Sequence, residues 1–251
     1  MDALIFLKEC NKESTIWATS LKVDKMDMAD RTLISYYASM IEFSTSIYIL
    51  AEAKVFTGIP SLFRVALECY VDLKNLIKNQ NYINNLELSY LYQWQKVTNA
   101  AKGGNPYLAD IAQTENINKE IAQTSAKIQE LEKDHYKDLN IFERFSLAGM
   151  EEEYHSLYNF WCCETHNNIR ALIDRHVEIN DKNNDFSLVI NKVNKASEFD
   201  HYFGTYAHWL LQSSQAINSH FKGDNESQIS LKLSALYIIR DEMLINLGLE
   251  I

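Results

Sequence analysis

The chain is short of the residues that make turns. Among 251 residues there are only 7 glycines and 2 prolines. Strand-rich folds need frequent tight turns, so this shortage points to long helices with few connections. The glycine-built catalytic signatures are missing with them. There is no glycine-rich phosphate loop and no G-x-S-x-G elbow, and the zinc-protease pattern H-E-x-x-H does not occur either. Cysteine is scarce and unpatterned. Cys10, Cys69 and the adjacent Cys162 and Cys163 form no C-x-x-C pair, so they read as buried free thiols rather than zinc or redox groups. A carboxylate-bridged metal site in a helical bundle takes Glu-x-x-His from two helices, a signature absent at useful positions; Glu152 with His155 has the spacing but is preceded by solvated charge. No metal and no cofactor is expected.

Positive charge is also in deficit. Lys and Arg number 24 against 34 Asp and Glu, a formal net charge of −10. That argues against a broad basic surface for duplex DNA or for an anionic membrane, while leaving room for a small basic cleft. No run approaches the ~18 apolar residues of a membrane span. The start Met1-Asp2-Ala3 lacks the basic and apolar regions of a secretory signal. The expectations are a cytoplasmic protein with no membrane contact.

What is present is helical periodicity in a chain that is 47% hydrophobic, enough for a sizeable core. The expected fold is all-α: a single domain over 1–251 with about seven to nine helices, and a protruding insertion at about 107–137. Helices are expected from Met1 to about Lys22, from Met28 to Ala53, from Gly58 to Lys78 and from about Asn81 to Ala101. Lys102-Gly103-Gly104-Asn105-Pro106 is the strongest breaker. In the polar segment from Thr114 to Tyr136, Ile117, Ile121, Ile128 and Leu131 make a narrow coiled-coil-like stripe around Thr124. That stripe suits packing on the preceding helix or on a second subunit, and it is the expected docking surface for a protein partner. A short helix from Ile141 to about Leu147 precedes Gly149. One long helix is then expected from Met150 to Glu178, with Tyr154, Tyr158, Trp161, Thr165, Ile169 and Leu172 on its buried face. After the polar loop from Asn180 to Asp185, a helix from about Ser187 to Phe221, broken near Asn194, and a last helix from Gln228 to Leu247, capped by Gly248, complete the chain. No strand is expected.

The helix from Gly58 to Lys78 stands out. Pro60 suits its first turn, and apolar residues cover nearly all its sides, as in a buried helix. Arg64, Glu68 and Asp72 interrupt it at four-residue intervals. Arg64 and Glu68 can pair along one face, and Asp72 reads as a solvated or capping residue. His166 sits at the edge of the buried face of the later helix, where it can meet another helix and still see solvent. If the two helices face each other, Arg64, Glu68 and His166 converge. A neutral histidine can then serve as general acid or base and an arginine can hold a phosphate. A second pair, Arg170 and His176, has the Arg-then-His spacing of the HEPN ribonucleases.

These residues carry a resemblance. The chain resembles a bacterial all-helical family, domain of unknown function family 5677. In that family a Gly-containing turn leads to Arg-x-x-x-Glu, here Gly58 and Arg64 to Glu68. A later helix carries Tyr-x-x-x-Tyr and Ser-x-x-x-His, here Tyr154 to Tyr158 and Cys162 to His166, with Cys162 in place of the family's serine. The resemblance runs from about Met28 to His176, plus the aromatic helix around Tyr206. It implies an all-helical fold related to the HEPN group, whose members often dimerise and include RNA-cleaving toxins and phage-defence effectors. It implies Arg64, Glu68 and His166 as the shared site and leaves Arg170 and His176 outside it.

Two readings stand open. The chain is a metal-independent ribonuclease or toxin-type effector in anti-phage defence, acting on RNA as a homo-oligomer. Alternatively it is a non-catalytic interaction module in which Arg64, Glu68 and His166 hold helices together.

Overall fold

A computed structural model describes residues 2–23, 27–114, 116–166, 168–180, 185–190, 192, 196–222 and 226–246. The chain is all-α, with one two-stranded hairpin among the described residues. Helix α1 (Ala3–Ser20) starts where the Asp2 side chain accepts from the Leu4 N–H, and α2 (Met28–Glu52) starts at an equivalent Asp27 cap. Helix α3 (Ile59–Lys78) carries Pro60 in its first turn, where the missing N–H is no loss. Helix α4 (Tyr82–Lys102) ends at Gly103 and Gly104, the latter at φ 85°, a backbone region open to glycine. A 3₁₀ turn (Pro106–Leu108) and α5 (Ala109–Ala112) lead to α6 (Ile117–Lys133). Helix α7 (Ile141–Ala148) opens with a reciprocal Asn140–Glu143 capping box and closes on Gly149 at φ 67°.

The segment after Gly149 departs from the single helix expected there. It runs as α8 (Glu151–Glu153), a π-helical turn (Tyr154–Tyr158) and α9 (Asn159–Thr165). The helix then breaks, and Asn168 caps a new one, α10 (Ile169–His176), by accepting from the Arg170 N–H. α10 runs straight into β1 (Val177–Asn180), which pairs antiparallel with β2 (Asp185–Leu188). The expectation of no strand is therefore corrected. Val177 and Ile179 alternate with polar neighbours, as do Phe186 and Leu188, which is the two-residue period of a strand. The helix expected from Ser187 begins only at Asp200. A 3₁₀ turn (Ala196–Phe199) leads into α11 (Asp200–Phe221), followed by α12 (Glu226–Asn246). The break expected near Asn194 and the cap expected at Gly248 lie outside the described residues.

Helix α3 sits at the centre. It packs against α2, α7, α9 and α11, while α1 packs on α2 and α11. Phe63 of α3 meets Trp161 of α9 at 5.3 Å and Tyr206 of α11 edge-on at 5.4 Å between ring centroids. All three side chains are buried, and each such burial contributes about 1.5–3 kcal/mol. Tyr206 and Asn11 inside this core have specific partners. Tyr206 donates to the Met40 carbonyl at 2.7 Å, and Asn11 donates to the Ile41 carbonyl at 2.8 Å.

Asp72 is not the solvated residue expected from its spacing. It is buried, and its two oxygens accept four hydrogen bonds. Arg144 of α7 grips it with two nitrogens, Nε to Oδ1 at 2.9 Å, while Tyr82 donates at 2.7 Å and Tyr36 at 3.1 Å. One carboxylate thus joins α2, α3, α4 and α7. Helix α6 takes one of the two packings that its stripe suits, the one within the chain. Its stripe lies against α4, where Leu88, Ile128 and Leu131 form a small cluster of their own, and Trp94 donates to Glu120 at 3.0 Å. The 117–131 face is engaged within the chain and is not a free docking surface. The thiols divide as well: Cys10 is buried, Cys69 and Cys162 are half-buried, and Cys163 is exposed rather than buried as expected.

Removing Arg144 leaves a buried carboxylate with two phenols and no counter-charge. Arg144→Ala is expected to cost about 3–5 kcal/mol in urea denaturation, whereas Asp72→Leu with Arg144→Met, which removes both charges, should cost far less. An Arg144→Ala cost below about 1 kcal/mol would contradict this account. Alkali provides a second test. Burial pushes Tyr37 and Tyr70 up to about 12. The folded state therefore keeps protons that the unfolded state gives up near the reference value of about 10. That stability is complete below about pH 10 and is lost as pH rises toward the folded values. Tyrosinate absorbance should therefore rise together with loss of helical circular dichroism. Ionisation of these tyrosines at an ordinary midpoint in a still-folded chain would refute it.

Candidate functional site

Arg64, Glu68 and His166 do converge. Along α3, Arg64 Nε donates to Glu68 Oε1 at 3.1 Å, as residues four apart on a helix can. From the same guanidinium, Nη1 lies 3.1 Å from His166 Nε2, across 102 residues of sequence. A fourth member, Tyr158, comes from the π-helical turn. Its hydroxyl accepts from Nη2 at 3.4 Å, and its ring lies under the guanidinium at 5.4 Å. Each outer edge of the arginine thus has one partner.

The backbone explains how these residues meet. α9 lies against α3, with Trp161 anchored on Phe63. His166 caps the end of α9, its own N–H bonded to the Cys162 carbonyl at 2.9 Å. The π turn widens the helix at Tyr154 to Tyr158, a distortion often found at functional sites. Tyr154 and Tyr158 stack there at 5.4 Å, and Phe145 of α7 backs both rings. Rigid aromatic packing therefore holds the inner side of the cluster, and His166 on the outer side is exposed.

Electrostatics set the protonation of the parts. A guanidinium only donates, so His166 Nε2 must accept, which makes His166 the neutral tautomer with its proton on Nδ1. Burial works against the Arg64 charge, but the Tyr158 oxygen, Glu68 and Cys162 together hold its pKa above the ordinary guanidinium value. Burial, then the Glu68 carboxylate and the Cys162 thiol, push the Tyr158 phenol well above its usual value, so it remains protonated. The cluster therefore presents a fixed cation, a neutral imidazole with a lone pair and a phenolic donor. Among the described residues no group of three or more His, Cys, Asp or Glu could hold a metal ion.

The secondary pair, Arg170 and His176, lies on α10, beyond the break that follows His166. The helix breaks between His166 and Ile169, so His166 and Arg170 are not one turn apart on a common face, as a continuous helix would make them. Arg170 is exposed. His176 Nδ1 donates to the Val189 carbonyl at 3.1 Å, which fixes the hairpin to the end of α10. Nearby, Arg175 of α10 donates to the Glu164 carbonyl at 3.1 Å and so ties α10 back to α9.

The profile of the family of unknown function DUF5677 matches residues 30–186, more than half of the chain. The chain belongs to this family. No curated protein and no solved structure matches it. The DUF5677 span holds Arg64, Glu68, Tyr158 and His166, while α1, α11 with Tyr206, and α12 lie outside it. The core of this DUF5677 protein is thus completed by helices beyond the family match. No helix among the described residues is long and apolar enough to cross a membrane.

Sequence reasoning overlooked Tyr158 as a site residue. The signal was present: Tyr158, Cys162 and His166 are spaced by four, which places them along one helical edge. Long-range ¹H–¹⁵N correlation of the imidazole should show His166 with its proton on Nδ1 at neutral pH, and Arg64→Ala should abolish that preference. A proton on Nε2 in the unaltered chain would exclude the Arg64 contact.

Proposed function

We propose that this DUF5677 protein cleaves RNA without a metal ion, using Arg64 to bind the scissile phosphate and His166 as the base. The observation that carries this reading is the exposed His166, whose Nε2 is held 3.1 Å from an arginine that is itself oriented by Glu68 and Tyr158. An arginine fork suits a phosphate, and a phosphate entering the cluster would take the guanidinium nitrogens and free His166 Nε2. The imidazole then takes the proton of the neighbouring 2′-hydroxyl. The 2′-oxygen forms a bond to phosphorus and the bond to the 5′-oxygen breaks, with that oxygen taking a proton from solvent. The products are a 2′,3′-cyclic phosphate and a 5′-hydroxyl. Arg64 and the Tyr158 hydroxyl face the oxygens where charge gathers in the transition state. The HEPN-like character implied by the sequence motifs agrees with this chemistry and with a role as a toxin-type effector in anti-phage defence.

A second reading has one observation in its favour. Arg64 already has three partners on two helices, as a structural clamp would. The two readings separate in one experiment. With chelator present, the full chain should cleave single-stranded RNA and leave cyclic phosphate ends. His166→Ala and Arg64→Ala should each lower the rate by about a hundredfold or more. His166 is exposed, so His166→Ala should leave the melting temperature within about 2 °C. Intact RNA of varied sequence, together with a marked fall in melting temperature for both variants, would establish the clamp instead.

A further inference from the structure

Arg144 spends only one side of its guanidinium on Asp72. Nε and Nη2 meet the carboxylate side-on. The end of the fork remains, Nη1 with the second hydrogen of Nη2, and no described group accepts from Nη1. The same side chain, 23% exposed, lines a cavity of about 200 Å³ between α2, α4 and α7. Other polar groups in that cavity are also open. Asn85, Ser89 and Gln93 follow one another at four-residue intervals along α4, and all three line it. Asn85 Nδ2 donates to the Lys137 carbonyl at 2.9 Å, which leaves the amide oxygen as an acceptor. Ser89 and Gln93 have no hydrogen-bond partner among the described residues. Leu86, Leu139 and the exposed ring of Tyr90 complete the lining.

We propose that this cavity binds a guanine base. Two parallel N–H donors at the end of a guanidinium match two acceptors held side by side. Carboxylates, phosphates and the O6/N7 edge of guanine offer such a pair. Charge decides among them. Arg144 and Asp72 are the only charged side chains among the described residues that line the cavity, and they cancel. An anion would face the Asp72 carboxylate behind the arginine with no second cation to offset it, whereas a neutral base meets no such repulsion. Other bases fit less well. Adenine places an amino donor where guanine has O6, and pyrimidines have no N7. The volume lies below the ~300–1,000 Å³ of pockets for drug-sized ligands, so it suits one base rather than a whole nucleotide. The Asn85 oxygen, with Ser89 and Gln93, supplies acceptors for the N1 and N2 hydrogens, and Tyr90 offers an aromatic face for stacking. Asp72 is the positioning residue: it fixes the plane of the fork before the base arrives. The site is separate from the Arg64 cluster, since Asp72 lies two turns, roughly 12 Å, further along α3. It does not depend on the RNA-cleaving reading.

Calorimetry and saturation-transfer NMR on the full chain should show guanosine binding about tenfold or more tighter than adenosine, cytidine or uridine. 7-Deazaguanosine lacks the N7 acceptor and should lose a comparable factor, in a test that leaves the protein unaltered. Ser89→Leu fills the cavity without touching Asp72 or Arg144. It should abolish binding while circular dichroism matches the parent. Arg144→Lys keeps a charge opposite Asp72 but not the fork, so guanosine and adenosine should become equal. His166→Ala should bind guanosine as the parent does, which separates this site from the fate of the RNA-cleaving reading. A short uridine strand carrying a single guanine on 2′-O-methyl sugars, which that cleavage cannot cut, distinguishes the two sources of the base. Tighter binding than guanosine points to a base within RNA, and equal binding to a free guanine compound. Absence of guanosine binding to the parent chain overturns the inference, including where inorganic phosphate binds instead. So does equal binding of guanosine and 7-deazaguanosine, or guanosine binding that survives Ser89→Leu. Should Ser89→Leu fail to fold, the comparison of guanosine with 7-deazaguanosine decides alone.

Discussion

Burying α3 on nearly all sides means that every charge it carries has to be answered by another helix. Asp72 shows this most fully. An ionised carboxylate in the core costs several kcal/mol of lost hydration unless its lone pairs are filled, and Arg144, Tyr82 and Tyr36 fill them. The answer dictates geometry. α7 must present Arg144, α4 must begin with Tyr82, and α2 must pass with Tyr36 inward. Asn75 secures the arrangement by donating to the Arg144 carbonyl at 2.8 Å. The same carboxylate is therefore a registration point for four helices, and the aromatic contacts around Phe63 pack against a scaffold already indexed by it.

Two turns earlier on α3 the same requirement has a different outcome. Arg64 is answered by Glu68, Tyr158 and His166, but this cluster faces out at the rim rather than in toward the core. The difference lies in the partners. At Asp72 the counter-ion is an arginine, permanently charged, so the pair exchanges no proton. At Arg64 one partner is a neutral histidine open to solvent, a group that can exchange its proton and be displaced by an anion. One helix thus carries both a structural ion pair and a group of side chains with the makings of a site.

Much of this was legible in the sequence. Helices α2, α3, α4 and α7 begin and end within a few residues of where caps, breakers and apolar spacing place them, because those signals are local. The meeting of Arg64, Glu68 and His166 could be anticipated because polar exceptions on two strongly apolar helices have few places to go. The misreadings share one cause. The segment from 150 to 178 has helical spacing throughout, but a π turn and the break at His166 change its phase, so Ile169 and Leu172 end up exposed. A period of 3.6 cannot be carried through a register change that the sequence does not mark. Asp72 was misjudged for a related reason: its partners lie 10, 36 and 72 residues away, beyond any local pattern.

The sequence by itself determined that the chain is all-helical, that α3 is its central element, and that Arg64, Glu68 and His166 are the residues to watch. Those conclusions follow from composition and periodicity, which act over a few turns of chain. Only the tertiary structure decided which charges are closed off and which stay open, that Tyr158 completes the arginine's set, and that α6 lies on α4. It also decided that Ile179, Phe186 and Leu188 of the hairpin are exposed among the described residues. Each of these depends on which surfaces meet across many tens of residues, and that is settled by packing and desolvation rather than by local propensity.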